Sequence, residues 1–77
     1  MKIEVYAALK DYFEKEFTIS LSLQTIAELK EYLIQKNIAA EQLLSICRFA
    51  VNDEFVDINY KLKPNDHIHI IPPSSGG

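Results

Sequence analysis

Apolar and polar residues alternate at the start of the chain. Ile3, Val5 and Ala7 are interleaved with Lys2, Glu4 and Tyr6, the period-2 pattern of a half-buried β-strand. Leu9, Tyr12 and Phe13 change the spacing to that of a short helical turn. Phe17, Ile19 and Leu21 then alternate against Glu16, Thr18, Ser20 and Ser22, which predicts a second strand and a hairpin-like opening unit. Thr25 starts a helix. Its hydroxyl can accept the Glu28 N–H while the Glu28 carboxylate reaches back to the Thr25 N–H, as in a capping box. Ile26, Leu29 and Leu33 recur on one face, and Glu28, Lys30, Glu31, Gln35 and Lys36 are solvated. Lys36 suits the negative end of the helix dipole, and Asn37 can stop the helix in a left-handed conformation.

Residues 39–46 have no decisive period and allow another helical turn. Phe49 and Val51 begin a third strand, Asn52-Asp53-Glu54 reverses it, and Phe55-Val56 forms the short return partner. Lys63-Pro64-Asn65-Asp66 is a further turn, with Pro64 and Asn65 as its central residues. His67 to Ile71 is the last strand, with Ile68 and Ile70 on one face. The order β-β-α-β-β-β predicts an α+β class domain, a β-grasp, with a mixed sheet of four to five strands packed on one main helix. The first and last strands can lie parallel and central, which sends the C-terminus off one edge.

Composition narrows the function. Seventy-seven residues make one domain, and a chain this short buries only about 60–65% of its unfolded surface. A hydrophobic fraction of 48% with 25% charged residues fits a soluble globular domain. A net charge of −3 without any basic run argues against nucleic acid as a partner. No apolar run approaches the ~20 residues of a membrane helix, and no secretory signal opens the chain. Cys47 is the only cysteine. A lone cysteine in the apolar stretch Leu43–Phe49 reads as a small buried hydrophobe, and the absence of a disulfide framework suits a reducing cytoplasm.

The two glycines of the chain are both at its end, Gly76 and Gly77. They come after Pro72, Pro73, Ser74 and Ser75, so the chain divides into a domain over 1–71 and an extended, flexible tail over 72–77. Proline fixes φ and lacks an N–H donor, which ends a strand and keeps the next residues extended. The six tail residues span at most about 20 Å at ~3.3–3.6 Å each. A Cβ-free Gly-Gly can thread a slot too narrow for any side chain, and the reacting group is then the Gly77 carboxylate. A linker scar also ends in Ser and Gly, but here the prolines join the apolar run Ile68, Ile70, Ile71 with no break in composition. Chemistry elsewhere is sparse. No glycine-rich phosphate loop exists, and Asp11, Glu14 and Glu16 form no acid–base pair. His67 and His69 share a strand face, but a metal needs further ligands and only Asp66 is adjacent, so no metal site is expected.

A carboxylate must be activated before it can carry sulfur. A partner that consumes ATP can adenylate it, and a sulfide equivalent then displaces AMP to leave a thiocarboxylate. The same activation serves conjugation to lysine, so the tail alone leaves both open. The motif Leu62-Lys63-Pro64-Asn65-Asp66, the strand Ile68 to Ile71, the ending Pro72-Pro73-Ser74-Ser75-Gly76-Gly77, Ala50-Val51-Asn52 and Tyr6-Ala7 together resemble the small subunit of molybdopterin synthase, in the ubiquitin-like sulfur-carrier family.

The resemblance implies a non-catalytic sulfur donor in molybdenum cofactor biosynthesis. A ubiquitin-activating-type adenylyltransferase would adenylate Gly77, and the resulting thiocarboxylate would give sulfur to cyclic pyranopterin monophosphate. Pro72, Pro73, Ser74, Ser75 and Gly76 would enter the large subunit, which holds the active site in a heterotetramer of two small and two large chains. Ile71, Phe55 and Leu62 are the candidate docking residues, and no cofactor is bound by the chain itself. A carrier for thiamin or another thio-compound, a ubiquitin-like protein modifier, and an interaction module with an inert tail are the alternatives. Pro72-Pro73 and the chain length favour the molybdopterin branch.

Overall fold

The strand that leads to the tail is the middle of the sheet. The computed structural model describes residues 1–73. Five strands, β1 (Lys2–Val5), β2 (Glu16–Thr18), β3 (Arg48–Val51), β4 (Glu54–Val56) and β5 (His67–Ile71), run in the order β2-β1-β5-β3-β4. The first and last strands are parallel, with Ile3 opposite Ile68 and Val5 opposite Ile70. All other neighbours are antiparallel. One face of the sheet is covered by α1 (Ile26–Lys36) and the short α2 (Glu41–Ser45). This is the β-grasp arrangement that the alternation predicts.

The core follows from the period of each element. Ile3, Val5, Ile68 and Ile70 are completely buried beneath Ile26, Leu29, Leu33 and Leu44. Burying each such side chain stabilises the fold by roughly 1.5–3 kcal/mol before chain entropy is counted. The residues between them, Lys2, Glu4, His67 and His69, point to the other face, because a strand sends successive side chains to opposite sides. That face carries no covering layer among the described residues.

Several local expectations are met by different means. The Thr25 hydroxyl accepts the Glu28 N–H at 3.2 Å, but the Glu28 carboxylate accepts the N–H of Gln24 at 3.0 Å instead of that of Thr25. Asn37 is extended, with φ −152°, not left-handed. Its side chain accepts the Ala39 N–H and so starts a 3-10 turn over Ile38–Ala40 that leads into α2. The second strand stops at Thr18. Ile19 is buried but Leu21 is 54% exposed, because the chain leaves the sheet there to reach α1 and the alternation no longer reports a pleat. Asn52 and Asp53 both have positive φ, 49° and 76°. Two consecutive left-handed residues make a two-residue hairpin turn, for which Asn and Asp are tolerated substitutes for glycine.

Asp66 is the one buried charged side chain among the described residues, 4% exposed. Its carboxylate accepts hydrogen bonds from the Lys63 N–H at 2.9 Å, the Asn52 Nδ2 at 3.3 Å and the Tyr60 hydroxyl at 3.4 Å. Asn52 in turn accepts the His67 N–H through Oδ1. The turn that begins β5 is thereby tied to the β3–β4 hairpin.

Candidate functional site

The candidate site is the end of β5 and the open sheet face beside it. Ile71 closes the strand opposite Arg48 in register, Pro72 is buried, and Pro73 is exposed. A proline after the last ladder residue suits this position, since it has no N–H to give to a neighbouring strand. Ser74, Ser75, Gly76 and Gly77 lie outside the described residues.

Phe55 and Ile71 are both presented on the open face. Phe55 sits opposite Ala50 across the β3–β4 ladder and is 55% exposed, and Ile71 is half-buried. Arg48 connects them: it lies opposite Ile71, and its guanidinium stands 3.9 Å above the centre of the Phe55 ring. A cation over an aromatic face is favourable and leaves the ring edge free for a partner. Ile58, half exposed, borders the same groove as Phe55 and Arg48. Leu62 is elsewhere. It is half-buried against the core and lines a second groove with Met1, Ile19 and Leu23, so the structure does not bring it to Ile71 and Phe55. Arg48 and Ile58 escaped sequence reasoning. A charged residue at the first position of a strand and an isoleucine in an irregular loop carry no periodic signal of their own.

Cys47 also borders the Phe55 groove. Its Sγ donates to the Leu43 carbonyl at 3.2 Å, and burial pushes the thiol up to about 11 against the small opposing effect of Lys30. At neutral pH it is a neutral thiol and a poor nucleophile, in keeping with its reading as an apolar residue.

The polar half of the open face is organised around two imidazoles. His67 Nε2 is 3.2 Å from Glu4 Oε1, and His69 Nδ1 is 2.7 Å from the Tyr6 hydroxyl. Burial and the neighbouring Glu4 carboxylate hold the Tyr6 phenol above its usual range. On the edge of this group Lys2 Nζ pairs with Glu16 at 3.0 Å, and this contact holds the Glu16 carboxyl below its usual range. Asp66, the acid adjacent in sequence, is turned away into the buried hydrogen-bond cluster. The carboxylate that meets the histidines comes from the first strand.

Three solved structures share this architecture. The complex of subunits 1 and 2 of molybdopterin-converting factor from Helicobacter pylori 26695 contains a chain 28% identical to this one, with a TM-score of 0.71 over 99% of this chain and 96% of that chain. SAMP1 from Haloferax volcanii superimposes with a TM-score of 0.82 at 16% identity, covering 99% and 97% of the two chains. A putative molybdopterin converting factor subunit 1 from Pyrococcus furiosus gives 0.75 at 17% identity over 95% of each chain. The last two are similar in fold alone. With its central β5, its open face and its terminal Gly-Gly, the chain matches the ThiS family over residues 3–77 and belongs to that family, with a ubiquitin-like sulfur-carrier fold.

Proposed function

We propose that this protein is the sulfur-carrier small subunit of a molybdopterin synthase. The observation that carries the reading is the continuity of the central strand with the tail: β5 ends at Ile71, Pro72 is buried, and Pro73 is exposed immediately ahead of Ser74-Ser75-Gly76-Gly77. A rigid strand at the centre of the sheet aims the tail, and the prolines limit its early conformations, which reduces the entropy lost when the tail is captured. In this reading the Gly77 carboxylate attacks the α-phosphate of ATP on an activating partner and releases pyrophosphate. A sulfide equivalent displaces AMP from the acyl adenylate. The resulting thiocarboxylate enters the large subunit, where its sulfur displaces an oxygen substituent of the pterin to form a thioester. Water then cleaves the acyl–sulfur bond, leaving sulfur on the pterin and returning Gly77 to the carboxylate. The similarity to a subunit of the Helicobacter pylori complex supports a large-subunit partner.

A carrier for thiamin or another thio-compound uses the same tail, and the ThiS family match suits it as well. Mass spectrometry of the protein isolated from its own cells tests the shared chemistry. The expected species has one oxygen of the C-terminal carboxylate replaced by sulfur. Finding Gly-Gly remnants on target lysines, with no such species, would make it a modifier. Co-purification with a large subunit that forms the dithiolene pterin separates the molybdopterin branch from the others.

The docking face gives a second expected result. Phe55 is exposed and Ile71 half-buried, so neither supplies much of the core. Phe55→Ala and Ile71→Asp are each expected to weaken binding of the large subunit by tenfold or more, since buried aromatic and apolar anchors commonly carry ~1–2 kcal/mol or more of an interface. Calorimetric titration with the large subunit measures this, with circular dichroism reporting the fold. An affinity equal to that of the unmodified chain removes the substituted residue from the interface.

A further inference from the structure

The geometry points to a divalent transition-metal site, of the zinc class, on the open sheet face, with Glu4, His67 and His69 as its ligands. The ligand atoms of these three residues all lie within 4.8 Å of one another. Glu4 Oε1 is 3.2 Å from His67 Nε2 and 3.8 Å from His69 Nδ1. Around a tetrahedral ion with bonds of ~2.0–2.2 Å, ligand atoms stand about 3.3–3.6 Å apart. A cation can therefore take the place of the proton shared by Glu4 and His67 with only small movements of the three side chains.

The backbone holds the set in place. His67 and His69 are two apart in β5 and share a face, with ring centres 4.2 Å apart. Glu4 is the register partner of His69 across the parallel β1–β5 pair, and both strands lie inside the sheet, where neither can fray. The Glu4 and His69 side chains are only 17% and 18% exposed, while His67 is 35% exposed. Two ligands are thus largely dehydrated before a metal arrives, and the third leaves a path for the ion from solvent.

Lys2, the other charge on this stretch of β1, is engaged by Glu16 at 3.0 Å and does not occupy the Glu4 carboxylate. The Tyr6 hydroxyl, 2.7 Å from His69 Nδ1, gives up that hydrogen bond when the nitrogen binds a cation. Two imidazoles and one carboxylate suit zinc, nickel or copper and disfavour magnesium, which prefers oxygen ligands. Three protein ligands leave at least one coordination position for water or a ligand from outside. The competing arrangement is a purely hydrogen-bonded ladder, with no affinity for metal.

Titration calorimetry of the untagged full chain with zinc chloride distinguishes them. The site requires one equivalent of zinc with a dissociation constant in the micromolar range or tighter, unchanged in Cys47→Ser and absent with magnesium chloride. Loss of even an outer-sphere partner costs about 10–100-fold in metal affinity, so His67→Ala, His69→Ala and Glu4→Gln are each expected to weaken binding by at least that factor. At a hundredfold excess over the dissociation constant zinc raises the thermal midpoint of the unmodified chain by roughly 10–20 °C. Nitrogen NMR of the unmodified chain provides a measurement that needs no variant: zinc shifts the His67 Nε2 and His69 Nδ1 resonances together and saturates at one equivalent. Absence of binding, or full affinity in the Glu4→Gln or histidine variants, overturns the proposal.

Discussion

Adding one residue after Gly77, or deleting Gly77, is expected to reduce sulfur transfer by at least a hundredfold in a reconstituted synthase assay while the domain remains folded. The reacting carboxyl carbon is the terminal atom group of the proposed carrier, and one extra residue moves it by about 3.3–3.6 Å. A displacement of ~1 Å in an aligned reaction already costs on the order of a hundredfold in rate. Gly77→Ala is expected to act more mildly, because it crowds the acyl carbon without moving it. Gly76→Val is expected to block the proposed insertion, because it adds a branched side chain where the proposal has the tail thread a narrow slot. Removal of residues 74–77 provides the control for folding. The core is made by residues between Ile3 and Ile70, chiefly of β1, β3, β5 and the helices, so this deletion is expected to leave the thermal midpoint within a few degrees. The decisive measurement is turnover by a chain extended past Gly77 and shown by mass to be uncleaved. Normal turnover by that chain would exclude Gly77 as the sulfur donor.

Asp66→Ala is expected to lower the thermal midpoint by roughly 10–20 °C. The Asp66 carboxylate is 4% exposed and accepts from three donors, the Lys63 N–H, Asn52 Nδ2 and the Tyr60 hydroxyl. Deleting it leaves these donors without their partner in a largely dry site, at a cost of about 2–3 kcal/mol. In a domain of this size each kcal/mol moves the midpoint by ~4–8 °C. The effect reaches the strand that leads to the tail, because Asn52 also holds the first N–H of β5 through its Oδ1. Asp66→Asn keeps one acceptor oxygen and is expected to cost less than half as much. Differential scanning calorimetry of the two variants checks the order. A shift below ~3 °C for Asp66→Ala would mean that water replaces the carboxylate and that the cluster is not a structural tie.

The strands and the main helix were legible in the sequence because each announces itself within a few residues. Ile3 and Val5 against Lys2 and Glu4, Thr25 with Glu28, and the polar triplet Asn52-Asp53-Glu54 are local patterns, and strand alternation, helix capping and tight reversal are local events. The same dependence on neighbours explains the differences. Leu21 continues an alternating pattern after the chain has left the sheet, so it is exposed. Asn37 is extended because its side chain caps the next turn instead of ending the previous one.

By itself, the sequence determined the β-grasp class, the buried faces of β1, α1 and β5, and a proline-led tail with both glycines at its end. Only the tertiary structure decided what meets on the open face. Period-2 alternation places His67 and His69 on one side of β5, but it contains no information on which strand lies beside them or in what register. The parallel pairing of β1 with β5 joins residues more than sixty positions apart and brings Glu4 to both imidazoles. The β3–β4 and β3–β5 ladders likewise place Arg48 between Phe55 and Ile71, while packing against the core takes Leu62 to another groove. Pairing between distant strands is set by the burial of the whole apolar face at once, a property of the assembled sheet that no single segment carries.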